Sequence, residues 1–177
     1  LAASLIGINA QEKDWANLQR YAQQNAELPK PDKNEKRVVF MGNSITEGWV
    51  NTHPDFFKSN GYIGRGIGGQ TSYQFLVRFR EDVINLSPAL VVINAATNDI
   101  AENTGAYHED RTFGNIVSMV ELAKANHIKV ILTTTLPAAA FGWNPSIKDA
   151  PQKIASLNAR LKAYAQTNKI PFVDYYS

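Results

Sequence analysis

Three runs of apolar, largely β-branched residues without polar alternation stand at 38–41, 90–94 and 130–135. Runs of this kind suit strands buried on both faces of a parallel sheet. Stretches with apolar residues at three-to-four spacing fall at 72–86, 112–126 and 151–168, which supplies the helical crossovers that parallel neighbours need. Further strands are expected at 62–67 and 170–175. Five strands joined by right-handed crossovers make a three-layer α/β/α domain with a five-stranded parallel sheet. Its functional edge is the C-terminal rim of the strands, where Ser44, the loop at 66–69 and Asn98 all fall.

Ahead of this pattern, Trp15, Leu18, Tyr21, Ala22 and Leu28 predict an amphipathic helix over 12–28, ended by Pro29 and Pro31. Residues 30–37 mix both signs of charge and read as a solvated linker. Residues 1–10 are apolar and small, and Ile8-Asn9-Ala10 before Gln11 resembles the end of a secretory signal peptide whose upstream part is missing; a short buried strand or helix start is the alternative. The expected division is therefore 1–10 as a signal remnant, 11–36 as N-terminal helix and linker, and 37–177 as the main domain of a secreted or periplasmic protein.

At 177 residues, 44% hydrophobic and 19% charged, the composition is that of one globular domain. The 18 basic and 16 acidic residues are spread along the chain, so the net charge of +2 implies no nucleic-acid face. With no cysteine there is no disulfide or thiolate site, and no apolar stretch approaches the roughly 18 residues of a membrane span. No metal or organic cofactor is implied, and no nucleic-acid or membrane partner is expected.

The chemistry concentrates in three places. Gly42-Asn43-Ser44 puts small residues at a sharp strand-to-helix turn, where a serine hydroxyl points outward as a nucleophile; a helix cap is the plainer reading. Arg65-Gly66-Ile67-Gly68-Gly69-Gln70 is a glycine-rich loop that lets backbone N–H groups approach a ligand. Gly64, Gly66 and Gly69 also match the dinucleotide fingerprint, but the acid that motif needs after the next strand is missing, since Glu81 and Asp82 lie within a helix. Ala96-Thr97-Asn98-Asp99 offers an amide donor with an acid beside it to tie down the loop, or a simple turn.

From Arg37 to Ser177 the sequence resembles the SGNH hydrolases, also called GDSL esterases and lipases, through Gly42-Asn43-Ser44-Ile45-Thr46, Gly68-Gly69-Gln70-Thr71 and Ala96-Thr97-Asn98-Asp99. The resemblance implies a flavodoxin-like fold, with Ser44 as nucleophile and an oxyanion hole made of Ser44 N–H, Gly69 N–H and the Asn98 side chain. Asn43 stands where the family usually has Asp, and Ala96 where it has Gly. The family's base and orienting acid lie in an Asp-x-x-His block after the fifth strand, and no Asp here has His three residues on. His53, His108 and His127 all come too early, and Asp174 reads as structural. The catalytic Asp and His, together with the last helix, are thus expected beyond Ser177, which leaves the given chain inactive.

Similarity to carbohydrate-acting bacterial members implies removal of acetyl or other short acyl groups from sugars, with Trp49, Phe141 and Trp143 either as candidate faces for pyranose rings or as simple core or lid packing. Long-chain lipase action is disfavoured because the loops carry no extended apolar lining. Lysophospholipase or thioesterase action, and a non-catalytic carbohydrate-binding fragment, remain the alternatives.

Overall fold

The computed structural model describes residues 14–177, so the signal-like segment at 1–10 lies outside the described residues. Strands β1 (Val38–Gly42), β2 (Tyr62–Gly66), β3 (Leu90–Ile93), β4 (Lys129–Thr133) and β5 (Phe172–Val173) form one parallel sheet in the order β2-β1-β3-β4-β5. The chain first steps from β1 outward to β2, then crosses back and proceeds in the other direction. Right-handed crossovers therefore send the helices between β1 and β2 to one face and the later ones to the opposite face.

The short α1 (Ala22–Glu27) precedes the sheet, and α2 (Ser44–Thr52) and α3 (Pro54–Ser59) pack against β1 and β2. On the other face lie α4 (Ser72–Asp82), α6 (Glu109–Ala125) and α7 (Ala150–Thr167), packed side by side, while α5 (Thr97–Ile100) is a single turn after β3. Alternate strand residues Val39, Met41, Val91, Ile93, Val130 and Leu132 are buried beneath these helices. Each such side chain contributes about 1.5–3 kcal/mol of burial.

Two glycines set how closely α2 approaches the sheet. Gly42 and Gly66 pair in register at the ends of β1 and β2. A Cβ at Gly42 would fall 2.0 Å from Thr46 Oγ1, and one at Gly66 would fall 2.3 Å from the Glu47 nitrogen. The first turn of α2, which carries Ser44, therefore lies directly against the strand ends. Packing accounts for Gly66, one of the glycines of the dinucleotide-like pattern.

The N-terminal region departs from the expected helix over 12–28. Asn17 takes a left-handed conformation with φ 53°, and the helical parts are a 3-10 turn at Leu18–Arg20 and the six-residue α1. The cause is tertiary: Gln74 Nε2 donates to the Trp15 carbonyl and Gln70 Nε2 to the Ala16 carbonyl, each at 2.7 Å, so this backbone serves the main domain. Ala22, placed on the expected apolar stripe, is exposed. Arg37, read as linker, is 3% exposed and donates to the carbonyls of Leu86 and Pro29. The fifth strand is only two residues long, and the helix expected over 72–86 stops at Asp82 before a 3-10 turn at Ile84–Leu86.

Candidate active site

Ser44 is exposed at the first position of α2, and Asn43, not Ser44, caps that helix. The Asn43 Oδ1 accepts from Ile45 N–H at 3.0 Å. Capping thus leaves the serine hydroxyl uncommitted, and among the described residues it has no hydrogen-bond partner. Asn43 is fully buried and its Nδ2 lacks a partner among the described residues.

The glycine loop lies against the serine, since a Cβ at Gly68 would sit 3.8 Å from Ser44 Cβ. Gly68 N–H donates to Glu47 Oε2 at 2.8 Å, and Glu47 Oε1 pairs with Arg20 at 3.1 Å. Gly69 has φ +76°, a left-handed conformation that favours glycine. Asn98 is 3% exposed, and its Nδ2 donates to the Gln70 carbonyl at 2.9 Å. The structure thus gathers Ser44, Gly69 and Asn98 around the 68–70 loop. One Asn98 amide hydrogen holds the loop, and the other has no acceptor among the described residues.

Asp99 fixes this arrangement from behind. Its carboxylate accepts from Ser72 N–H at 2.9 Å, from Thr112 Oγ1 at 3.2 Å and from the Ser72 hydroxyl, tying α5 to the start of α4. Burial pushes the Asp99 pKa above the ordinary carboxylate value, and these hydrogen bonds oppose the rise. Ala96, just before α5, holds φ +83°, which explains why glycine is usual at this position in the family that the motifs resemble.

Of the three aromatic candidates, Trp143 is 61% exposed and Phe141 is 1% exposed. Phe141 therefore presents no face to a sugar; it supports the Trp143 ring at 5.2 Å. Trp49 is half-buried, with Phe56 stacked on it at 5.3 Å and 17°, and it belongs to an aromatic cluster with Phe40 and Phe57. That cluster borders an apolar cavity of about 330 Å³ lined by Ile45, Trp49, Val92, Asn94, Leu136 and Tyr175, among others. Its lining comes mainly from β1, α2 and β3 rather than from loops.

No described histidine hydrogen-bonds Ser44. His53 ends α2, nine residues and so about 13 Å of helix rise away, and contacts Thr52 Oγ1 at 2.9 Å. His127 lies just before β4, at the rim opposite to Ser44. His108 sits at the start of α6, in a recess with Trp15, Tyr73 and Arg111. Asp174 accepts from Tyr176 N–H, Ser177 N–H and the Ser177 hydroxyl, as a residue that shapes a turn does.

Arg78 and Asn103, which help to bind this site together, are not singled out in the sequence, and Gln70 is named only as part of the glycine block. The one local signal is Arg78 and Asp82, spaced i,i+4 on the stripe of α4 that also buries Phe75 and Phe79.

Residues 40–177 match the GDSL-like Lipase/Acylhydrolase family, and the chain belongs to that family. It is similar to a GDSL-like lipase from Bacteroides thetaiotaomicron, with 79% identity and a TM-score of 0.90 over 91% of this chain and 78% of that one. The uncharacterized lipoprotein YqeF of Bacillus subtilis is 32% identical over 117 residues, 56% of this chain and 48% of YqeF. The match thus spans about half the length of that curated relative. An acetyl xylan esterase, AlAXEase, is 24% identical with a TM-score of 0.64 over 78% of this chain and 77% of its own, and shares the fold.

Proposed function

We propose that this protein is an exported serine ester hydrolase that removes acetyl or other short acyl groups from carbohydrate. The observation that carries the reading is the exposed, uncapped Ser44 hydroxyl set against the 68–70 loop, with Asn98 held to the Gln70 carbonyl. In this mechanism Ser44 Oγ attacks the acyl carbon while a histidine takes its proton. Ser44 N–H, Gly69 N–H and Asn98 Nδ2 then receive the oxyanion of the tetrahedral intermediate. Collapse releases the sugar hydroxyl, which takes the proton back, and water cleaves the acyl-serine to give the acid and free Ser44.

Residues 1–177 contain no Asp-x-x-His, so this segment alone is expected to keep only the residual acceleration of about 10³–10⁴ that an oxyanion hole and binding supply. Export is supported by the signal-like residues 1–10 and by the lipoprotein nature of YqeF. No helix among the described residues is long and apolar enough to cross a membrane.

The second reading is lysophospholipase or thioesterase action on a longer acyl chain; the cavity beside Ile45 and Trp49 does not by itself favour it, because Phe40 and Val92 place it on the sheet face that α4, α6 and α7 leave uncovered. Turnover of p-nitrophenyl acetate, butyrate and decanoate and of a peracetylated xyloside by the full-length protein separates the two. The proposed activity gives the highest kcat/KM on the acetylated sugar. A clear preference for decanoate would replace it with the second reading.

A further inference from the structure

Asn103 bridges two parts of the rim that are far apart in sequence. Its Nδ2 donates to the Gly69 carbonyl at 2.9 Å, and its Oδ1 accepts from the Trp143 indole N–H at 2.9 Å. An indole N–H only donates and a carbonyl only accepts, so the two partners fix which way the amide points. Its backbone N–H donates to the Asn98 carbonyl at 3.0 Å. Asn98 Nδ2 in turn holds the Gln70 carbonyl at 2.9 Å. Two successive carbonyls of the glycine loop are therefore gripped by two amides from one short segment.

Trp143 is held at its ring, at its indole N–H and through the residue that follows it. Phe141 packs against its ring, Asn103 takes its N–H, and the next residue, Asn144, donates to the Ala101 carbonyl at 2.9 Å. An indole that is 61% exposed yet held in this way is a preformed flat apolar surface.

We propose that Asn103 is a positioning residue that couples a sugar-stacking platform, Trp143, to the oxyanion loop at Gly69. The proposal rests on reading the site as a carbohydrate esterase and adds how it discriminates. A pyranose ring stacked on Trp143 and an acyl carbonyl at Gly69 N–H are held at a fixed spacing by one amide. The enzyme is thus matched to acyl groups carried on a ring rather than on a linear alcohol.

The test compares a peracetylated xyloside with p-nitrophenyl acetate in the full-length protein. Asn103→Ala is expected to lower kcat on both esters by about tenfold, the scale of one neutral hydrogen bond, and to raise KM for the xyloside several-fold. Trp143→Ala is expected to act on the xyloside KM. Asn103→Asp keeps an acceptor for the indole but turns an oxygen toward the Gly69 carbonyl, so its loss is expected in kcat with less change in xyloside KM. Asn103 is exposed, and melting curves recorded beside the kinetics verify that the variants fold. Titration of the xyloside into Ser44→Ala protein with and without Asn103→Ala reads binding without turnover, and a several-fold weakening is expected. Values of kcat, KM and affinity within twofold of the parent protein would overturn the coupling while leaving Ser44 in place. Ester turnover that survives Ser44→Ala would overturn the reading of the site itself.

Discussion

The Arg78 guanidinium, fully buried on α4, donates to the Gly42 carbonyl at 3.0 Å, two residues before Ser44. The same group donates to Gln70 Oε1 at 2.6 Å and pairs with Asp82 at 2.8 Å. It thereby joins the end of β1, which leads to the serine, to the loop expected to receive the oxyanion. Burial lowers the Arg78 pKa, and the hydrogen bond and charge of Asp82 resist this.

Arg78→Met is expected to cost about 3–5 kcal/mol, because it strands the Asp82 carboxylate in the interior. The double variant Arg78→Met/Asp82→Leu is expected to recover much of that loss. Urea unfolding at neutral pH measures both, and a single variant as stable as the parent would contradict the account.

Ala96 reverses the usual cost of replacing alanine with glycine. At φ +83° a left-handed alanine carries about 1–3 kcal/mol of strain, against about 0.5–1 kcal/mol for the extra chain freedom of glycine. Ala96→Gly is therefore expected to stabilise the protein by about 1 kcal/mol. A lower urea midpoint in the variant would show that the strain is absent.

Asp99 gives stability a pH dependence of definite sign. Burial raises its folded pKa above the ordinary carboxylate value, so the folded state holds the proton longer than the unfolded chain. This carboxyl's contribution is largest below the unfolded pKa and is lost as pH rises from about there through the folded value. Asp99→Asn is expected to remove that slope. Unfolding free energies measured in steps upward from about pH 4 check it, and parallel profiles for the two proteins would refute it.

Much of the sheet was readable because β1, β3 and β4 carry apolar runs, although only the face beneath α4, α6 and α7 is fully buried. On the other face Val38, Phe40, Leu90 and Ile131 are half-buried and Lys129 is exposed, so the expected burial on both faces is not met. Ser44, Gly69 and Asn98 were readable because a turn, a left-handed loop and an amide at a strand end each restrict residue type locally. What holds them was not. The Asn103–Trp143 contact joins residues 40 apart, and Gln70 reaches back 54 residues to Ala16. The expected helix over 12–28 failed for the same reason, because its backbone carbonyls are claimed by side chains of the main domain. Phe141 shows a further limit: composition marks an aromatic but not which of its faces is covered.

Asn98 has one amide hydrogen on the Gln70 carbonyl and one with no acceptor among the described residues. Asn98→Ala in the full-length protein is expected to lower kcat by about 10²–10³ with a smaller change in KM, as for loss of a single oxyanion donor. A kcat equal to the parent's would make Asn98 a turn residue only.

The most direct measurement is the turnover of p-nitrophenyl acetate by the full-length protein and its Ser44→Ala variant, with melting curves recorded alongside. Ser44 is exposed and does not cap α2, so the substitution is expected to leave melting close to that of the parent. Turnover is expected to fall to the background set by the remaining donors. A folded variant that keeps more than a few per cent of the parent rate would contradict Ser44 as the nucleophile.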